Sequence, residues 1–180
     1  MRVITGEKKG RKLIAPMGLA TRPTSEMTKE AVFSAIQFEI EGANFCDLFA
    51  GSGQMGIEAL SRGARRAYFV ENSSEALSCI RENVKSLGLA DESEIISGDV
   101  FTFIKTTSAT FDIVFLDPPY NSEMLKELLP LISKKVSPGG VILCETEKRE
   151  ETPSEAGVFT KTKEYKYGKA KISAYRRGDI

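Results

Sequence analysis

The chain carries the tetrapeptide Asp117-Pro118-Pro119-Tyr120 at the end of an apolar run. Prolines lack N–H groups and have a fixed φ, so the carbonyls of Asp117 and Pro118 can point outward as hydrogen-bond acceptors. With the Asp117 carboxylate these oxygens can grip an amino group, while the Tyr120 ring offers a stacking surface for a planar base. The residue types therefore predict a site for an exocyclic amine on a flat heterocycle. Taken alone, the tetrapeptide is equally explained by a strand that ends in a Pro-Pro turn.

A glycine-rich segment, Asp47 to Gly56, follows an apolar strand and opens a predicted helix. Its glycines let the backbone approach a ligand closely, and the helix N-terminus presents N–H groups. Gly51, Gly53 and Gly56 fit the pattern G-x-G-x-x-G, and Glu71 lies twenty residues beyond Gly51, where an acidic residue binds a ribose diol. Because NAD and S-adenosylmethionine both contain adenosine, this pattern is compatible with either.

Two carboxylates favour S-adenosylmethionine. Asp47 precedes the glycines, where it would repel a pyrophosphate but can contact the ammonium of a methionine moiety, directly or through water. Asp99 follows the third predicted strand and is placed to accept a hydrogen bond from the adenine amino group. With Glu71 and Asp117, four successive strands end in an acid, and these ends line the ligand crevice of an open α/β sheet. The pattern predicts methyl transfer to an amine that Asp117 and the Pro118 carbonyl hold in line, which requires neither histidine nor metal.

The elements that must position these residues alternate along the chain. Short apolar strands alternating with helices predict a parallel, doubly wound sheet. The N-terminal part is predicted as a basic hairpin and a helix capped by Thr24 or Ser25 that runs to Ile40 and ends at Gly42. Predicted strands cover residues 45–50, 67–70, 93–97, 113–116 and 141–144, the last following a turn at Pro138-Gly139-Gly140. A predicted helix runs through Ile57, Ala59 and Leu60 to Gly63 after the glycine-rich turn. Further predicted helices lie at 74–87, 101–104 and 123–133, and 158–167 with 169–175 form an antiparallel edge hairpin.

Composition limits the class of protein. The chain has 180 residues, of which 41% are hydrophobic and 28% charged, with no membrane-length apolar stretch and no signal peptide. Three solitary cysteines and no histidine predict a cytoplasmic protein with reduced core thiols and no metal site. We expect a single domain over residues 1–180, with 1–41 as an N-terminal extension and 42–180 as the Rossmann-like core.

Positive charge is concentrated at the two ends of the chain. Residues 1–25 carry six bases against one acid, and residues 161–177 carry seven against one, while the whole chain is neutral. If the ends meet in space, they form a surface for a polyanion. The alternative is that these lysines and arginines merely protect exposed strands.

The motifs resemble the RsmD family, bacterial S-adenosylmethionine-dependent methyltransferases that modify a guanine N2 of 16S rRNA. The resemblance runs from the first residues to Tyr167-Gly168. Three departures distinguish this chain: Cys46 before the motif residue Asp47, Gln54-Met55 after the glycines and Met27-Thr28-Lys29 at the start of the first helix. We interpret the first two as packing changes. The residues that carry the resemblance are Arg2 to Gly6, Gly10 to Leu13, Arg22 to Ser25, Asp47 to Gly53, Glu58 to Ala64 and Asp117 to Tyr120.

The resemblance implies a class I methyltransferase with a mostly parallel seven-stranded sheet and an antiparallel C-terminal strand. It implies a guanine target, usually nucleotide 966, on 16S rRNA or a small-subunit assembly intermediate, with no membrane and no obligate protein partner. An adenine-N6 DNA methyltransferase is the alternative. The implied catalytic residues are Asp117, Pro118, Pro119 and Tyr120; the cofactor residues are Asp47, Phe49, Gly51, Gly53, Glu71, Asn72, Asp99 and Val100; the RNA-contacting residues are Arg11, Lys12, Arg22, Pro23 and Thr24.

Overall fold

The computed structural model describes residues 1–18, 24–119 and 122–178, and their centre is an eight-stranded sheet. The strands are β1 (Asn44–Leu48), β2 (Arg66–Glu71), β3 (Ser93–Ser97), β4 (Phe111–Leu116), β5 (Val136–Glu147), β6 (Glu155–Ala156), β7 (Phe159–Tyr167) and β8 (Ala170–Arg177). The helices are α1 (Glu26–Ala35), α2 (Gln54–Ser61), α3 (Ser74–Ser86), α4 (Val100–Thr106) and α5 (Ser122–Ser133), with a 3-10 turn at Ala90–Glu92.

The sheet order is β3-β2-β1-β4-β5-β8-β7-β6. β1 to β5 are parallel, and β8 joins β5 antiparallel, with β7 and β6 continuing outward. The predicted doubly wound, mostly parallel sheet is confirmed. The sheet has eight strands, not the predicted seven, because the two-residue strand β6 adds to the outer side of β7.

Hydrophobic cores lie on both faces of the sheet. One core joins α1, α2 and α3 to the sheet and includes Phe33, Phe45 and Phe69. The other lies under α4 and α5 and includes Phe111, Leu128 and Tyr175. Ligands of such sheets bind in the crevice at the carboxyl ends of the parallel strands.

The predicted turn at Pro138-Gly139-Gly140 is wrong, because these residues lie within the long strand β5. The pairing with β4 shifts there, since Phe111 faces Val136 but Ile113 already faces Val141. Gly140 is required at this irregularity, because a Cβ there would come within 2.6 Å of the Asp112 carbonyl oxygen. The Pro-Gly-Gly segment is thus a β-bulge, not a connection.

Helix α1 also differs from its prediction, because it ends at Ala35 and not near Ile40. Ile36 leaves the helical region at φ −118°, and a turn closes where Glu39 N donates to the Ile36 carbonyl. The Glu39 carboxylate accepts two hydrogen bonds from the Arg176 guanidinium of β8, at 2.6 and 2.9 Å. This tertiary ion pair holds the turn, and local helical spacing does not reveal it.

In place of the predicted N-terminal hairpin, the structure has one antiparallel bridge between Arg2 and Lys12. The reason is that Ile4 N and Thr5 N donate to the buried Glu58 carboxylate, so they cannot extend a strand ladder. The C-terminal hairpin of β7 and β8, in contrast, forms as predicted around Gly168 at φ 55°. Among the described residues no helix has both the length and the apolar character that a membrane span needs.

Candidate active site

The loop between β1 and α2 has an unusual backbone. Phe49, Gly51 and Gly53 have φ values of 62°, 58° and 81°. Glycine adopts such values freely, but Phe49 is the one non-glycine residue that does so among the described residues. Strain of this kind persists only where the surroundings hold it, and it concentrates at ligand sites.

Glycines also seat α2 tightly on the sheet. A Cβ on Gly56 would lie 2.4 Å from the Phe69 ring of β2, and one on Gly53 would lie 3.3 Å from it. The helix N-terminus therefore reaches the carboxyl edge of the sheet because no side chain separates it from Phe69. This is the role that the third glycine of G-x-G-x-x-G has in nucleotide-binding folds.

Asp47 lies in the wall of the crevice and is only 1% exposed. Its Oδ2 accepts a hydrogen bond from Gly56 N at 3.1 Å. Burial raises the pKa of this carboxyl well above its ordinary value, and the nearby Glu71 and Asp117 carboxylates raise it further. The predicted direct contact with a ligand ammonium does not fit this burial, which leaves the alternatives of contact through water or through the field of the carboxylate.

Glu71 holds the loop in place at the end of β2. Its Oε2 accepts a hydrogen bond from Gly51 N at 2.8 Å, and its Oε1 accepts from Asn72 N and Ser73 N at 2.9 Å each. A carboxylate has about four lone-pair positions. Glu71 thus orders both sides of the predicted ribose position and retains capacity for one further donor.

Asp99 caps α4, accepting at Oδ2 from the Thr102 backbone N at 2.9 Å and from the Thr102 hydroxyl at 3.2 Å. The side chain is exposed, and its hydrogen bonds within the described chain all fall on Oδ2. Oδ1 is therefore left to accept a hydrogen bond from a ligand. Asn72 is exposed in the connection from β2 to α3, and Val100 is buried, so Val100 can contribute backbone and an apolar wall.

Asp117 follows β4, the strand between β1 and β5. In the register Leu116 pairs with Leu48 and with Cys144, so Asp117 lies beside the Phe49 turn on one side and Glu145 on the other. Asp117 is half-buried, Pro118 is buried and Pro119 is exposed. The predicted amine-binding turn thus adjoins the predicted cofactor loop. Tyr120 lies outside the described residues.

The electrostatics of the crevice fit a cationic ligand. Asp47, Glu71 and Asp117 are close enough that the last two raise the pKa of the first. A doubly negative pyrophosphate would meet three acids there, whereas a sulfonium and an ammonium would relieve their repulsion. These three acidic side chains therefore favour S-adenosylmethionine over NAD as the ligand.

The N-terminal extension is anchored on both sides of this edge. Met17 N donates to Glu75 at the start of α3, at 2.7 Å. Thr24 Oγ1 donates to Glu145 Oε2 at 3.1 Å, and the Thr24 carbonyl accepts from Gln54 Nε2 at 3.3 Å. The structure thus brings Thr24 to the crevice. Arg22 and Pro23, predicted beside it, lie outside the described residues.

The other predicted RNA-contacting residues have different surroundings. Arg11 donates to the Ser86 carbonyl at the end of α3, at 2.9 Å, so its guanidinium already serves a helix C-terminus. Lys12 is exposed at the bridge with Arg2. The crevice therefore gathers the predicted cofactor residues, Asp117 and Thr24, whereas Arg11 and Lys12 lie along α3.

Glu145 and Gln54 are two further residues of this edge that the sequence motifs did not identify. Glu145 follows the apolar run 141–144, so the same pattern of an acid after a strand identifies it. Gln54 gives no such signal: its amide lies between the Thr24 carbonyl and the Lys29 ammonium, at 3.3 and 3.5 Å. It is therefore a polar link between the extension and α2, and its interpretation as a packing change is wrong.

The three cysteines take no part in this chemistry. All three are free and buried, as predicted. Burial, together with the nearby Asp117 carboxylate, raises the pKa of the Cys144 thiol far above its ordinary value. This shift disfavours the thiolate, which is the nucleophilic form of cysteine.

Comparison with known proteins agrees with this geometry. Residues 1–176 match the profile of the family described as conserved hypothetical protein 95. The chain is 37% identical to YlbH of Bacillus subtilis, a candidate rRNA methyltransferase, over 98% of this chain and 99% of that one. It is 33% identical to ribosomal RNA small subunit methyltransferase D of Haemophilus influenzae, over 82% of this chain and 79% of that one.

Among solved structures, yhhF of Escherichia coli, described as a candidate methyltransferase, is similar with a TM-score of 0.88 and 30% identity. The similarity covers 98% of this chain and 97% of that one. Together with the strand order, it confirms the Rossmann-like methyltransferase fold.

Proposed function

The chain belongs to the RsmD family of methyltransferases, and from this membership we propose that it methylates the exocyclic N2 amine of a guanine in 16S rRNA with S-adenosylmethionine. Relatives that are named small-subunit rRNA methyltransferases support an rRNA substrate. The observation that carries the proposal is the juxtaposition, at one sheet edge, of the acidic cofactor crevice and the Asp117-Pro118-Pro119 turn.

S-Adenosylmethionine supplies an activated methyl group on a sulfonium. Glu71 and Asp99 hold the nucleoside part, and the strained Phe49 to Gly53 loop brings backbone against it. Burial and the neighbouring carboxylates raise the pKa of Asp47, and a methionine cation bound nearby would favour its ionised form. These residues orient the methyl group toward Asp117.

The target amine donates its hydrogens to the Asp117 carboxylate and the Pro118 carbonyl. Their acceptance favours a pyramidal nitrogen whose lone pair points at the methyl carbon. Positive charge develops on that nitrogen as the new C–N bond forms, and the two acceptors stabilise it. The extra proton then leaves the nitrogen through Asp117 to water. We assign stacking of the base to Tyr120, with Arg22 to Thr24 beside it.

The test is transfer of labelled methyl groups from S-adenosylmethionine to small-subunit rRNA, naked or in particles that lack the mark. We expect N2-methylguanine on nucleoside analysis. N6-methyladenine, transfer to duplex DNA in its place, or no transfer would refute the proposal. Calorimetric titration tests the cofactor separately, since binding of NAD without binding of S-adenosylhomocysteine contradicts the assigned crevice.

A further inference from the structure

Strand β7 presents a row of three side chains, which we name the aromatic strip: Lys163, Tyr165 and Tyr167. The two tyrosine rings are nearly parallel, with an interplanar angle of 10° and centroids 6.4 Å apart. The Lys163 ammonium lies 5.4 Å from the centroid of Tyr165. All three project from one face of β7, because alternate residues of a strand do.

The face that carries the strip is the one covered elsewhere by the N-terminal extension. Tyr165 packs against the core that contains Val3, Leu13 and Ile172. The two ends of the chain therefore meet on the same side of the sheet, which is the condition for a joint surface.

The strip is level with the active site. Tyr165 pairs with Ile172, and Ile172 pairs with Glu145, the residue that lies beside Asp117. Three strand spacings separate β4 from β7, so Tyr165 lies about 14 Å from the Asp117 strand end, along the same edge.

Positive charge surrounds the strip. Lys163 is exposed, as are Lys166 and Lys169 at the hairpin tip. Other bases of the C-terminal segment have intramolecular partners: Lys161 and Lys171 contact Glu164, and Arg176 contacts Glu39. Lysines on an outer strand also discourage edge-to-edge pairing, but that role does not require two parallel tyrosine rings among them.

We propose that the aromatic strip binds single-stranded RNA that flanks the target nucleotide, with a base stacked on the outer face of Tyr167. Tyr165 supports that ring from behind, and Lys163, on the same face, and Lys169, at the hairpin tip, contact phosphates. Proteins that bind single strands combine such stacking surfaces with basic side chains. This inference rests on the proposed function, because it assigns the surface to the same RNA.

The test is binding of a labelled single-stranded oligoribonucleotide of about 12 nucleotides, within the usual site size, measured by fluorescence anisotropy. We expect Tyr167→Ala to weaken binding roughly 5- to 150-fold, the range for loss of one stacked base. Tyr167→Phe retains the ring and should bind like the wild type. Affinity for S-adenosylhomocysteine should not change in either variant.

Phe38→Ala is the matched control. Phe38 is 93% exposed, more than either tyrosine. It precedes Glu39, which lies beside Asp112 and Gly140, at the end of the strands opposite to the active site. An equal loss of affinity in Phe38→Ala and Tyr167→Ala, or no loss in Tyr167→Ala, would overturn the inference. So would binding of duplex RNA that is just as sensitive to Tyr167→Ala.

The two proposals fail differently. If the wild type does not methylate rRNA, the proposed function fails. If the wild type methylates rRNA and Tyr167→Ala binds and methylates normally, only the strip assignment fails. A Tyr167→Ala defect that appears with assembled particles but not with naked RNA would assign the strip to a ribosomal protein and refute an RNA ligand.

Discussion

Asp47 and Asp117 are carboxylates of the same crevice, but burial gives them different tasks. Asp47 is 1% exposed and accepts a hydrogen bond from Gly56 N, so it acts on structure and on the field of the site. Asp117 is half-buried at the end of β4, where a ligand can reach it. At the scale of single residues, we propose that the first tunes cofactor binding and that the second contacts the reacting amine.

Replacement of Asp117 by alanine should therefore slow methyl transfer without removing the cofactor. We expect single-turnover transfer to fall by about 100-fold or more, the scale of losing a transition-state contact. Affinity for S-adenosylhomocysteine, measured by calorimetry, should stay near that of the wild type. The exposed Asp91 provides a control, since Asp91→Ala should change neither quantity. A variant at Asp117 with normal turnover contradicts the assigned role.

The buried Asp47 carboxyl should make stability depend on pH. Its pKa in the folded protein is raised well above 3.8, chiefly by burial. Its contribution to stability is thus fully present below pH 3.8 and is lost as the pH rises through the folded pKa. Asp47→Asn keeps an acceptor for Gly56 N but cannot ionise. The melting temperature of this variant minus that of the wild type should therefore increase as the pH rises.

Thermal unfolding over a series of pH values measures this gain, with S-adenosylmethionine absent. Asp91→Asn, which removes an exposed carboxyl from the 3-10 turn, should show no comparable gain. Parallel curves for the wild type and Asp47→Asn would show that Asp47 has no raised pKa.

At the scale of elements, α2 packs so closely on Phe69 that one added carbon at Gly56 should destabilise the protein. Gly56→Ala places a Cβ 2.4 Å from a buried ring that cannot move freely. We expect a loss of about 1–3 kcal/mol in the free energy of unfolding by urea, typical of an overpacked core, and weaker binding of S-adenosylhomocysteine. Gly139→Ala, with nothing within 4 Å, is the control. Equal stability of Gly56→Ala and the wild type would contradict the tight seat.

The attachment of the N-terminal extension to α2 depends on a buried ion pair. Lys29 Nζ and Glu58 Oε2 are 3.6 Å apart, with side chains 1% and 0% exposed, and Glu58 also accepts from Ile4 N and Thr5 N. Glu58→Gln removes the negative charge that balances the buried lysine, whose other acceptors, the Arg2 carbonyl and the Gln54 amide, are neutral. We therefore expect a loss of about 3–5 kcal/mol in the free energy of unfolding.

The surface pair of Arg66 and Glu94 is the matched control for that variant. Its side chains are 39% and 50% exposed, and exposed pairs contribute only about 0–1 kcal/mol. Urea unfolding of Glu94→Gln should therefore resemble that of the wild type. Similar losses in the two glutamine variants would show that burial of Glu58 is not decisive.

Local patterns predicted the elements well where neighbours in sequence determine them. The acids at strand ends lie at one edge because parallel strands must end together, and this needs no tertiary knowledge. The Pro138-Gly139-Gly140 bulge was predicted as a turn because only pairing with β4 distinguishes the two. The end of α1 depends on Arg176, far away in the chain, and the shortened N-terminal hairpin depends on Glu58. The spacing of residues along the sequence does not reveal these long-range contacts.

For the whole molecule, zero net charge hides a division between an acidic crevice and basic ends. The effect of removing a positive charge on RNA affinity should therefore depend on where in the structure that charge lies. We expect the triple change of Lys163, Lys166 and Lys169 to glutamine to lower the slope of log affinity against log salt by roughly 1.4, about 0.7 for each of the two phosphate contacts on single strands. Anisotropy titrations at several salt concentrations measure it.

The control changes the same number of charges elsewhere. Lys105, Lys126 and Lys134 lie on or just after α4 and α5, on the other side of the sheet. Their replacement by glutamine should leave the salt slope within about one-third of a contact of the wild-type value. A slope that falls equally in both triple variants would mean that RNA attraction follows total charge and not the C-terminal hairpin.

Gln54 gives the enzyme a route to cooperative binding. Its amide joins Thr24 and Lys29 of the N-terminal extension to α2, the helix that follows the cofactor loop. A ligand that stabilises one of these partners changes the energy of the other, and thermodynamic linkage makes the effect reciprocal. If bound S-adenosylmethionine raises the affinity for RNA through this amide, bound RNA must raise the affinity for S-adenosylmethionine by the same factor.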